Sequence, residues 1–84
     1  MTIDGEKIIE FSIVGEEGGI FEFSKPLTTL QEVYEKLKII KETDRKEGYK
    51  DNYTITVYTE KNHFYTDFVL RKYKNKLSLK YIGV

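Results

Sequence analysis

Residues 53–84 run YTITVYTEKNHFYTDFVLRKYKNKLSLKYIGV, and the reading of two Lys-Asn pairs inside this stretch, Lys61-Asn62 and Lys74-Asn75, decides the fold. Each pair interrupts a segment in which apolar and polar residues alternate, the period of a half-buried strand. Asn tolerates the left-handed conformation that tight hairpin turns demand. With each pair taken as a two-residue loop, three strands follow: Tyr53 to Glu60, His63 to Tyr73 and Lys76 to Val84. The first turn sets Tyr58 opposite Tyr65, Ile55 opposite Phe68 and Tyr53 opposite Leu70. The second sets Leu70 opposite Leu79 and Phe68 opposite Tyr81. Both turns thus place two apolar rows on one face, and a one-residue slip in either would send these side chains to opposite faces. The other face reads Tyr58 with Tyr65, Thr56 with Asp67 and Ile82, Thr54 with Val69 and Lys80, and Arg71 with Ser78.

Upstream of this stretch, Leu30, Val33, Tyr34, Leu37 and Ile40 recur at helical spacing and form one apolar stripe, with Ile39 off it. Thr29 with Glu32 three residues later makes a capping box, Thr28 with Gln31 is nearly equivalent, and Gly48 is a C-terminal stop. Before Pro26, Lys7 to Val14 alternates with Ile9, Phe11 and Ile13 on one side. Residues 15–19 (GEEGG) form a loop, and Ile20 to Ser24 returns with Phe21 and Phe23. Pairing Val14 with Ile20 sets Ile13 opposite Phe21 and Phe11 opposite Phe23, so this hairpin agrees with its own pattern.

The expected fold is a single α+β domain over residues 1–84, ordered ββαβββ. An N-terminal hairpin and a C-terminal three-stranded meander form an antiparallel sheet with one helix packed on one face. The second choice comes from a resemblance. A hairpin followed by the Thr-led helix start at residues 28–37 (TTLQEVYEKL) resembles the ubiquitin-like β-grasp domains. That resemblance implies a last strand in the sheet centre, parallel to the first. A tight Lys74-Asn75 hairpin instead keeps the last strand beside its predecessor.

Composition narrows the function classes. There are no cysteines among the 84 residues, so neither a disulfide framework nor a cysteine-based zinc site is available. Five Phe and seven Tyr supply much of the apolar packing that such a small chain needs. The opening residues, MTIDGE, lack the apolar run of a secretory signal, and no stretch approaches the length of a membrane span. A cytoplasmic location is the expectation, with no membrane partner. Residues 1–24 carry six acids against Lys7 alone, whereas residues 52–84 carry six bases against Glu60 and Asp67. Opposite ends of this kind attract one another within the fold, and they also orient a partner by charge.

No catalytic constellation emerges. His63 is the single histidine, facing Glu60 across the first turn, and reads as a surface pair rather than a general base. The GEEGG loop lacks the Lys-Ser/Thr finish of a phosphate cradle, and its glutamates repel phosphate. Asp4, Glu16 and Glu17 lack calcium-loop spacing. No metal and no cofactor is expected, and no enzyme activity. The leading expectation is a small protein-binding module using the open sheet face or an edge strand. Tyr58 and Tyr65 are its aromatic anchors, with Val69, Arg71 and Lys80 beside them. By analogy of size and composition, it would be a phage or mobile-element inhibitor of a host defence protein, of the anti-CRISPR kind, acting by surface occlusion. The same face could close a homodimer. The alternative is a nucleic-acid-binding domain on the basic hairpin, with Arg71, Lys72, Tyr73, Lys74 and Lys76 supplying phosphate contacts and base stacking.

Overall fold

The computed structural model of the protein describes residues 1–16, 18–48 and 52–83. Glu17 of the glycine loop and Val84 at the end of the last expected strand lie outside the described residues. Strands β1 (Thr2–Ile3), β2 (Glu6–Val14), β3 (Thr54–Thr59), β4 (Phe64–Tyr73) and β5 (Lys76–Tyr81) form one antiparallel sheet in that spatial order. The helix α1 (Leu30–Glu47) follows β2 and precedes β3 in the chain. This is the expected α+β, ββαβββ architecture. β5 lies at the sheet edge, antiparallel to β4, so the β-grasp arrangement with a central, parallel last strand does not occur.

Local chemistry sets both ends of α1. The Thr29 hydroxyl accepts the Glu32 N–H, while the Glu32 carboxylate accepts the Thr28 and Thr29 N–H groups. These bonds, with the Thr28 N–H the strongest, hold the Glu32 carboxyl below its ordinary pKa. Gly48 terminates the helix in the left-handed region at φ 81°, which a residue without Cβ adopts at no steric cost. The stripe buries Leu30, Val33, Leu37 and Ile40 against Phe11, Ile13, Leu27, Ile55 and Val57. Ile39, off the stripe, is exposed.

The N-terminal hairpin differs from the expected one. β2 pairs with the short β1 across Asp4-Gly5; the expected Val14–Ile20 pairing is present, with the Phe21 N–H bonded to Ile13 O, but beyond it residues 20–27 pair with β2 only at the bridge Phe11–Leu27. Phe11 therefore meets Leu27 rather than Phe23, because the chain between the bridges loops away from the ladder. Phe21 and Phe23 still pack on the core. β2 itself carries a bulge between Ile8 and Glu10. The extra residue, Ile9, is 45% exposed, while Ile8 packs towards the core and Glu6 is buried. The Ile8-Ile9 doublet is the sequence trace of that bulge, since it breaks the period of two.

The second turn is as expected: Lys74 and Asn75 both have positive φ, and Phe68–Tyr81, Leu70–Leu79 and Arg71–Ser78 are cross-strand partners. The first turn is one residue longer. Thr59 N–H bonds to His63 O and Asn62 N–H to Thr59 O, with Asn62 at φ 62°, so the loop is Glu60-Lys61-Asn62. Tyr58 consequently pairs with Phe64, and Tyr65 with the fully buried Val57. A bulge in β4 then cancels the slip: Thr66 and Asp67 together oppose Thr56, Asp67 sits at φ 67°, and Ile55 regains Phe68. Without it, Phe68 and Leu70, and through the hairpin Leu77 and Leu79, would turn away from the helix.

Deleting Asp67 should therefore cost about 4 kcal/mol, roughly 1 kcal/mol for each of these four half-buried side chains. Asp67→Gly, which keeps the residue and relieves its left-handed backbone, should be neutral or stabilising. Urea unfolding of the two variants checks this; equal stabilities would show that the bulge does not set the register.

Candidate binding surface

The helix covers one face of the sheet, and the other face has no layer over it among the described residues. The fully buried Ile55, Val57 and Thr59 face the helix, so alternation assigns Thr54, Tyr58 and Thr56, the last of them also buried, to this open face, with Val14, Glu10 and Ser12 as their β2 partners. From β4 and β5 it receives Phe64, Val69, Arg71, Tyr73, Lys76, Ser78 and Lys80.

The expected Tyr58–Tyr65 pair does not form on this face. The longer first turn rotates Tyr65 to the helix side, and Phe64 replaces it. Tyr58 and Phe64 lie with ring centroids 6.4 Å apart, the Tyr58 hydroxyl accepts a hydrogen bond from Ser12 Oγ, and Phe64 is 64% exposed. Val69 and Arg71 line a cleft of about 610 Å³ with Val14, Tyr53, Thr54 and Ile82. Lys80 stands opposite Val69 on the same face.

The basic hairpin divides by the same alternation. Pairing of β3 with β4 ends at Ile55–Phe68, while β4 and β5 stay paired to Tyr73–Lys76, so their hairpin continues past β3. Arg71, Tyr73 and Lys76 belong to the open face, and Lys74 lies 5.4 Å from the Tyr73 ring centroid. Lys72 goes to the helix side. Its Nζ donates to the Tyr34 hydroxyl at 3.3 Å and lies 4.5 Å from that ring's centroid, a contact that ties β4 to α1.

A third cluster escaped the sequence reading. His63 pairs with Glu6, not Glu60: its Nδ1 lies 2.8 Å from Glu6 Oε2, and Thr59 Oγ1 donates to Glu6 Oε1 at 2.6 Å. Two irregularities produce this pairing. The bulge at Ile9 turns Glu6 inward, and the three-residue turn places Glu60 inside the loop, where it accepts the Lys7 N–H. Thr59, then His63, hold the Glu6 carboxyl below its ordinary pKa against the opposing effect of burial. Burial, followed by the charges of Glu6 and Asp4, pushes the Tyr65 hydroxyl up. The arrangement orients an imidazole whose side chain is 60% exposed. Among the described residues no hydroxyl bonds to its Nε2, and no three potential metal ligands gather. The cluster joins the β1–β2 turn to the β3–β4 turn.

No helix among the described residues is long and apolar enough to cross a membrane. No family model, no curated protein and no solved structure matches the chain.

Glu6 yields a pH prediction. Because its folded pKa is depressed below about 4.5, its contribution to stability is complete above that value and is lost as pH falls through the folded pKa. Glu6→Gln should lower stability at pH 7 and flatten the acid limb, so that variant and wild type converge as pH falls through the folded pKa. Parallel loss of stability by both proteins from pH 6 to pH 3, followed by urea midpoints, would rule this out.

Proposed function

We propose that the protein is a non-enzymatic protein-binding module that occupies a partner's surface with its open sheet face. The observation that carries this reading is the uncovered Tyr58–Phe64 pair, set on a rigid sheet, with Arg71 and Lys80 on the same face. Aromatic residues fixed by a scaffold contribute large contact area at small entropic cost, and Arg and Tyr are enriched at binding hot spots. Occlusion needs no moving part and no reactive group. It suits a cytoplasmic phage or mobile-element inhibitor of a host defence protein, a reading supported by size and composition. Tyr58→Ala with Phe64→Ala should leave the fold intact and abolish capture of the partner from host extract. Tyr65→Ala, on the helix side, should instead cost about 1–2 kcal/mol of stability and leave capture unchanged in the folded protein. Capture undiminished by the double substitution would refute the assignment of this face.

A second reading has its own observation. Tyr73 is 73% exposed and flanked by Arg71, Lys74 and Lys76, none of which makes an ion pair among the described residues. This is a stacking platform with phosphate-binding cations. If single-stranded nucleic acid binds there, three phosphate contacts give a log K against log salt slope of about −2. Arg71→Glu with Lys74→Glu should abolish binding, and Lys72→Ala should leave the slope unaltered. Absence of binding at low salt removes this reading.

A further inference from the structure

β5 is one edge of the sheet, opposite the short β1. Ile82 N–H bonds to Asp67 O, and Tyr73–Lys76 closes the second turn, so the even-numbered residues of β5 direct their backbone groups to β4. The N–H and C=O groups of Leu77, Leu79 and Tyr81 therefore point outward, without a strand to receive them. An edge of this length is a template for a further strand.

The side chains around the edge specify what that strand carries. Leu77, Leu79 and Tyr81 lie on the helix side and extend the core's border, with Tyr81 edge-on to Phe68 at 5.6 Å. Lys76, Ser78 and Lys80 lie on the open side, and Ser78 is the small residue in front of Arg71. A guest acid opposite Ser78 meets Lys76 and Lys80 to either side, with Arg71 behind. No acidic residue occurs anywhere in residues 68–84. A second β5 brings no acid to these bases: in the antiparallel register that sets Leu77 opposite Leu79, Lys76 faces Lys80 twice, and like charges directly opposite destabilise a ladder, while the register centred on Leu79 sets Lys80 opposite Ser78 and supplies no opposite charge.

We infer that β5 accepts an extended segment of a partner protein in which acidic and apolar residues alternate, the acids on the open side and the apolar residues on the helix side. The inference rests on the reading of the chain as a protein-binding module, but its site is the edge rather than the Tyr58–Phe64 pair.

Amide hydrogen exchange followed by NMR tests it with a capped eight-residue peptide alternating Glu and Val. The controls are a block-ordered peptide of identical composition and an alternating Lys-Val peptide. The alternating Glu-Val peptide should slow exchange of the Leu77, Leu79 and Tyr81 amides at least tenfold, and neither control should. Lys76→Glu with Lys80→Glu, both exposed, should transfer that protection to the Lys-Val peptide while the β4–β5 ladder amides stay protected. Three results overturn the proposal: no binding at low salt; equal protection by the block peptide; or shifts confined to Arg71, Tyr73 and Lys74. Protection of the three amides without peptide, with a mass of two 9.9 kDa chains, would show a second copy on the edge and overturn it too. If the edge fails while Tyr58→Ala with Phe64→Ala still abolishes partner capture, the protein-binding reading stands without it.

Discussion

Side chains on a strand alternate between two faces, and this sheet has only one helix to cover one of them. Every residue inserted into a hairpin must therefore be matched by another, or the apolar set downstream turns outward. The protein meets that constraint with the turn Glu60-Lys61-Asn62 and the bulge at Asp67, one residue each, on the same hairpin. Between the two irregularities the alternation is inverted, and only His63, Phe64, Tyr65 and Thr66 lie there. That short inverted stretch moves Tyr65 under the helix side and leaves Phe64 in the open. The composition of the candidate binding surface is thus a by-product of how the register is kept.

β2 solves a related problem with the bulge at Ile9. Its effect is to aim Glu6 inward, where Thr59 and His63 satisfy the carboxylate. A buried carboxylate without partners would be costly, and among the described residues no buried side-chain polar atom is left without one. The bulge and the polar cluster therefore support each other. Together they fasten the end of the sheet where the β1–β2 turn meets the β3–β4 turn, while Tyr53 to Asp44 and Lys72 to Tyr34 fasten the helix to the sheet.

The charge asymmetry of the chain takes a definite form once the strands are placed. Five of the six bases in residues 52–84 sit on the β4–β5 hairpin, which extends beyond β3 and ends at a sheet edge, and alternation deals them to different tasks. Lys72 packs on Tyr34 within the fold, whereas Arg71, Lys76 and Lys80 stay on the open face. The part of the hairpin beyond Asp67 holds no acid of its own, so its charge is directed outward.

Local signals settled much of this architecture from the sequence. The capping box at Thr29 and Glu32, the Gly48 stop, the helical stripe and the Lys74-Asn75 turn each depend on residues within four positions of one another, and each stands where the pattern put it. So does the Phe68–Tyr81 and Leu70–Leu79 register, which follows from that turn alone. What needed the tertiary structure was the set of features in which two distant irregularities are coupled. Nothing local distinguishes a two-residue Lys61-Asn62 loop from a three-residue one, because Asn62 takes the left-handed conformation in both. The choice is decided where Phe68 must face Ile55 and the helix, and Asp67 absorbs the difference. Likewise, only the folded sheet brings Glu6 to His63 across 57 positions. The uncovered face was legible in the sequence, because one helix cannot cover two faces; the identity of its aromatic anchors was not, because it depends on a register shift that is made and undone within six residues.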